Sequence, residues 1–291
     1  MASDNPSQRC GMDQVLGLSV RHSLLPSLTQ RGALTLAMLV AILLLAACGE
    51  RTVRVLFFGN SLTYVGNLPA VFSALCTSSG HRCATEMIAQ GGATLTQRVE
   101  DNSLARSTKP ERFDYIVLQE RGGDYITVPG RLQITTQAER ATETLARDAI
   151  QMDIKPILLG TYQGNAHVSA DLVSVEAALA ARLGMRHVPV SEVLACARRE
   201  QSSLRWLHQD GMHPGPDLTL LMAVLLHEEL FGSYPPPSPI VVSAPMYGPT
   251  NGPRADSFAS TQSTLSSIER SVTYSAETVR SIVALAQGPC K

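Results

Sequence analysis

The stretch Val53-Arg54-Val55-Leu56-Phe57-Phe58-Gly59-Asn60-Ser61-Leu62 decides how the rest of this chain is read. Its first six residues are apolar except for Arg54, and β-branched and aromatic side chains dominate, as in a strand buried on both faces. A glycine then permits a tight turn off the sheet, and a serine follows. Outward from this stretch, short β-rich runs alternate with helical periodicity. Strands are expected at 53–58, 82–88, 114–119, 156–160 and 186–190, and helices at 68–78, 93–102, 132–152, 169–183, 191–200 and 214–231. That alternation predicts an α/β domain with three α/β/α layers and a five-stranded parallel sheet of flavodoxin-like type. Sites in such sheets gather beyond the carboxyl ends of the strands. Ser61, the pair Gly91-Gly92 and Gln119 all follow expected strands, so all three are expected at that edge.

Far down the chain, just before the last strongly apolar helical pattern, comes Asp210-Gly211-Met212-His213-Pro214. Serine-based ester hydrolysis needs an exposed hydroxyl, a base for its proton, a group orienting that base, and donors aimed at the developing oxyanion. Ser61 fits the nucleophile. His213 fits the base, because imidazole titrates near neutral pH. Asp210, three residues earlier, fits the orienting carboxylate. In isolation the pentapeptide reads rather as a loop leading into a helix, with Asp210 capping it and His213 merely near its start, and it is Ser61 and the α/β order that turn the reading to catalysis. His208, Asp210 and His213 also invite a metal reading, but no fourth ligand stands at a metal-site spacing and there is no His-Glu-x-x-His, so no metal is expected.

Taken together, Gly59-Asn60-Ser61-Leu62 after the first strand and Asp210-x-x-His213 before the last apolar helix resemble the SGNH (GDSL-like) hydrolase superfamily of esterases and lipases, over roughly residues 53–232. The resemblance implies hydrolysis of an acyl ester of a lipid, a carbohydrate or a small alcohol through an acyl-Ser61 intermediate, with no cofactor. It also implies an oxyanion hole made by the Ser61 backbone N–H, a glycine after the second strand and an asparagine after the third. Gly92, or its neighbour Gly91, supplies the glycine. Where the family has Gly-x-Asn-Asp, this chain reads Gln119-Glu120-Arg121-Gly122-Gly123, so Gln119 stands in as the side-chain donor. Asn60 occupies a place that is most often aspartate. Both departures resemble a divergent Gly-Asn-Ser subgroup. An O-acyltransferase using the same triad, or a non-catalytic binding module on the same fold, would carry the same residues.

Residues 1–47 read as a lipoprotein signal peptide. Arg31 precedes an uncharged apolar run at 32–47, shorter than the span of about 20 residues that a membrane helix needs. Its ending, Leu45-Ala46-Ala47-Cys48, resembles a lipobox, which implies acylation at Cys48 and a bacterial cell-envelope location, anchored to a membrane through the N-terminal lipid. An uncleaved anchor is the other reading. Export to an oxidising compartment would leave Cys76, Cys83, Cys196 and Cys290, an even number. Cys76 and Cys83 flank a turn-rich link and either pair locally or stand as two small buried thiols.

The 291 residues are 44% hydrophobic and carry a formal net charge of -1. That is ample for a core in one domain. Arginine makes up 21 of the 24 basic residues without clustering, so nothing marks a nucleic-acid partner. The hydrolase domain is expected to span 48–232. Residues 233–264, rich in proline and serine, read as a wrapping loop or a linker, and 265–291 as a C-terminal helix with apolar spacing over 265–286.

Overall fold

The apolar run that opens the domain forms β1 (Val53–Gly59), and both of its faces are buried. Alternation divides its side chains: Val55 and Phe57 enter one core layer, Leu56 and Phe58 the other. The structure, a computed structural model, describes residues 51–107, 113–127, 129–163, 166–253, 259–260, 271–288 and 290. Cys48 and the whole of 1–47 lie outside the described residues, as do 261–270 within the two C-terminal segments.

Four more parallel strands follow: β2 (Cys83–Ala89), β3 (Tyr115–Leu118), β4 (Lys155–Leu159) and β5 (Arg186–Val188). With β6 (Ile240–Val242), β7 (Ala259–Ser260) and β8 (Val272–Tyr274) added, the main sheet has the order β5-β4-β3-β1-β2-β7. Its five long-expected strands are parallel, with Val55 beside Tyr115 and Val53 beside Cys83. The short β7 closes one edge antiparallel to β2, an addition the sequence pattern did not predict.

The helices are α1 (Ser61–Tyr64), α2 (Leu68–Ser78), α3 (Leu95–Glu100), α4 (Ser103–Ser107), α5 (Leu132–Gln151), α6 (Ala166–Leu183), α7 (Val190–Glu200), α8 (Pro216–Phe231) and α9 (Ala276–Gln287). Side chains of α2, α7, α8 and α9 share the layer of Phe57, and those of α3, α5 and α6 share the layer of Phe58. This is the three-layer α/β/α arrangement. The α8 helix is buried nearly all round, which requires neighbours on every side. They are the sheet, α2 and α9.

That packing explains the C-terminal segment. The expected single helix over 265–286 starts only at Ala276, where the Ser275 side chain accepts from Thr278 N at 3.1 Å as an N-cap. Before it, β8 pairs with β6 in a separate two-stranded sheet. The described part of the proline-rich stretch is stitched to the turn behind Ser61: Gly66 N donates to Tyr247 O at 2.9 Å, and Asn67 Nδ2 to Pro245 O at 2.7 Å. Disulfides join Cys76 to Cys83 and Cys196 to Cys290, with Cα–Cα distances of 6.0 and 5.3 Å. The second ties α7 to the chain end across 94 residues.

Candidate active site

Four strand ends and one long loop meet around a cavity of about 540 Å³, lined by Asn60, Ser61 and Leu62 after β1, Gly92 after β2, Arg121, Gly122 and Asp124 after β3, Tyr162 and Gln163 after β4, Arg131, and Asp210 to His213. The volume suits a small-molecule ligand. Its position beyond the carboxyl ends of the strands is the one the topology predicts.

The nucleophile turn is built from the inside. A Cβ on Gly59 would sit 1.9 Å from Thr63 Oγ1, so only glycine lets the chain fold back this closely. Asn60 caps α1, its Oδ1 accepting from Leu62 N at 2.9 Å. Ser61 is the first residue of that helix and half-buried, and its N–H has no backbone partner among the described residues. The orphan donors of a first helical turn point outward from the helix end. Gly92 stands on the same cavity with φ +69°, and a Cβ there would meet nothing within 4 Å.

Gln119 is not a donor to this cavity, which corrects its expected role. It is 1% exposed and does not line the cavity. Its Oε1 accepts from Thr63 Oγ1 at 2.6 Å, and its Nε2 faces Gly160 O at 3.4 Å. The physical reason is alternation. Gln119 N still pairs with Phe58 O, so the strand geometry of β3 runs one residue further and turns this side chain under α1. Gln119 therefore supports the floor of the nucleophile turn. Its neighbour Glu120 turns the other way and is fully buried. Oε2 accepts from Leu95 N at 2.9 Å and Oε1 from Arg121 N at 2.8 Å, tying the loop that carries Gly92 to the loop that carries Arg121. Burial pushes the Glu120 carboxyl up to about 7, against the pull of those two N–H groups.

Asp210 and His213 lie on an extended loop before α8, not on a helical turn. The loop is pinned at its neck, where His208 N donates to His213 O at 2.9 Å and Gly215 N to Trp206 O at 2.9 Å, and Gly211 (φ +69°) makes the tip. Asp210 does not cap α8, whose N-cap is Gly215 with no side-chain cap bond, but closes its own loop. Oδ1 accepts from Met212 N at 2.9 Å and His213 N at 3.0 Å, while Oδ2 meets His213 Nδ1 at 2.7 Å. Burial works against the charge, but those backbone donors and the imidazole outweigh it and hold the Asp210 carboxyl well below the usual range. An ionised Asp210 accepting from Nδ1–H fixes the ring tautomer and leaves Nε2 as the basic nitrogen. Tyr162 braces the loop, its hydroxyl donating to Met212 O at 3.2 Å. Trp206 is a packing residue, buried with its Nε1 donating to Gln201 O at 2.8 Å.

Ser61 and His213 thus line one cavity, and among the described residues no hydrogen bond joins them directly. Among the described residues, no group of three or more His, Cys, Asp or Glu side chains could hold a metal ion. Asp124, Arg121, Arg131, Tyr162 and Gln163 were not singled out by the sequence reading. They belong to no short motif, and only the folding of the β3 and β4 loops brings them to the cavity.

No protein-family model and no curated protein matches this sequence. Solved structures do resemble it. A DUF4886 family protein from Bacteroides uniformis superposes with a TM-score of 0.53 at 15% identity, covering 83% of this chain and 97% of that one. A lipase/acylhydrolase from Enterococcus faecalis superposes with a TM-score of 0.50 at 16% identity, covering 62% of this chain and 96% of that one. At this identity the likeness is one of fold, the three-layer α/β/α arrangement around a parallel sheet.

Proposed function

We propose that this protein is a serine hydrolase of acyl esters, with Ser61 as nucleophile, His213 as general base and Asp210 as the orienting carboxylate. The observation that carries the reading is the 2.7 Å contact of His213 Nδ1 with Asp210, on a cavity that Ser61 also lines. The Enterococcus faecalis neighbour, described as a lipase/acylhydrolase, supports the same chemistry.

The steps follow from those positions. Ser61 Oγ attacks the ester carbonyl carbon as its proton passes to His213 Nε2. The carbonyl oxygen becomes an oxyanion, received by the Ser61 and Gly92 backbone N–H groups. The C–O bond to the alcohol then breaks, and the alcohol leaves with the proton from Nε2. Water attacks the acyl-Ser61 ester in the same way, giving its proton to Nε2. Collapse returns that proton to Ser61 Oγ and frees the carboxylic acid. If a sugar hydroxyl takes the place of water, the same steps make an O-acyltransferase.

The test is a series of p-nitrophenyl esters of rising acyl length. Turnover by the wild type, lost in Ser61→Ala, supports the reading. Equal rates for the two proteins overturn it. A second reading, a binding module without catalysis, draws on the missing Ser61–His213 hydrogen bond. Such contacts are often loose without substrate, and turnover separates the two readings.

The sequence carries one further part of the proposal, attachment of the protein to the bacterial envelope by lipid on Cys48. Two acyl chains hold a protein firmly at a bilayer, while one does so only marginally. Cells expressing the full chain should label it with radioactive palmitate and lose that label in Cys48→Ser. Label retained by the variant contradicts the anchor.

A further inference from the structure

Two guanidinium groups share one buried carboxylate on the wall of the cavity. Asp124, with its side chain 4% exposed, lies between two guanidinium groups. Arg121 Nε and Nη2 both reach Asp124 Oδ2 at 2.7 Å, and Arg131 Nη2 reaches Oδ1 at 3.1 Å. A buried carboxylate requires one cation to remain ionised. Asp124 offsets one of the two positive charges and the buried Glu120 beside Arg121 part of the other, but neither carboxyl occupies the outward edges of the guanidinium groups. All three residues line the cavity of Ser61 and His213. The arginine side chains are 40% and 47% exposed, and Arg121 Nη1, Arg131 Nη1 and Arg131 Nε have no hydrogen-bond partner among the described residues. Those free donors sit in a planar fork geometry suited to oxyanions. The other cavity carboxylate, Asp210, is spent on His213 and two backbone N–H groups. The uncommitted charged donors of the cavity therefore gather at Arg121 and Arg131.

We infer that Arg121 and Arg131 form an anion subsite, so that the favoured ester carries a carboxylate or phosphate group held there while its carbonyl lies at Ser61. This rests on the esterase reading and narrows it to acidic esters. Asp124 pre-orients both guanidinium groups, which lowers the ordering cost of binding. Met212, 64% exposed and on the loop of His213, lines the same cavity and gives the acyl group an apolar contact.

The test compares kcat/KM for matched pairs of esters. One pair is O-acetyl galacturonate against O-acetyl galactose, and the other is butyryl glycerol phosphate against monobutyrin. The wild type should favour the charged member of at least one pair, and the favoured pair tells a carboxylate from a phosphate source. That preference should fall roughly tenfold in Arg131→Gln, as expected for a hydrogen bond to a charged group, and be partly restored in Arg131→Lys. Arg131→Gln leaves Arg121 to pair with Asp124, so the loop keeps its internal ion pair. No preference in either pair, or one that Arg121→Gln and Arg131→Gln both leave unchanged, overturns the subsite. If neither pair is cleaved and a fluorophosphonate leaves Ser61 unmodified, the esterase reading has failed instead. Calorimetry with galacturonate and with glycerol 3-phosphate then decides the subsite alone. Binding weakened by Arg131→Gln supports it, and no binding overturns it.

Discussion

Two carboxylates serve one cavity from two loops, and their surroundings differ in kind. Asp210 stands on a loop before α8, a third exposed, and every partner it has lies within three residues. Asp124 is buried in the loop after β3 and holds two guanidinium groups, one of them at the start of a different helix. The Asp210 loop is a local device, in which a short motif supplies its own donors and aims one imidazole. The Asp124 loop depends on the fold, because burial makes its charge useful and the sheet brings it beside Ser61. A local device is expected to govern the chemical step, and a fold-dependent one the choice of substrate.

The largest expected effect falls on the local device. His213→Ala should cost about a millionfold in kcat, the scale for losing the base of a serine relay. A loss of tenfold or less, measured on the best p-nitrophenyl ester, would move the base elsewhere. Asp210→Asn should cost about ten-thousandfold, because the amide cannot hold Nδ1–H in the required tautomer. The change should appear in kcat with little change in KM. Asp124→Asn is expected to be much milder, roughly tenfold in the preference for charged esters, since both arginines remain but lose their shared anchor. An effect as large as that of Asp210→Asn would erase the distinction between the two loops.

The smallest expected effect concerns Glu120, which ties the Gly92 loop to the Arg121 loop. Burial pushes its carboxyl from the usual carboxylate range up to about 7 in the fold. Between those values the folded protein binds more protons than the unfolded chain, so this group lowers stability as pH rises through that window, with no further change above it. The unfolding midpoint of Glu120→Gln relative to the wild type should therefore rise between about pH 5 and about pH 8. No relative rise contradicts the burial argument.

The sequence shows the central sheet plainly, because β1 is apolar on both faces and the helices between the strands keep their period. That Ser61, Asp210 and His213 line one cavity is legible for a related reason. Each stands at a strand end or on a self-contained turn, so its neighbours in sequence are its neighbours in space. Gln119 was misread because strand alternation continues past the point where the β propensity stops, which sends its amide under α1. Glu120 and Asp124 were invisible because their partners, Leu95 and Arg131, come from other elements. The pairing of β6 with β8 was missed for the same reason. Two three-residue strands on either side of a proline-rich segment carry almost no periodic signal.

The central claim is that Ser61 is a nucleophile activated by His213. Its most direct test is reaction of the intact protein with a fluorophosphonate, followed by peptide mass mapping, for the wild type and His213→Ala side by side. The account predicts one phosphonyl adduct on the peptide bearing Ser61 in the wild type, and almost none in His213→Ala. No adduct in the wild type, or an equal one on Ser61 in the variant, would contradict it.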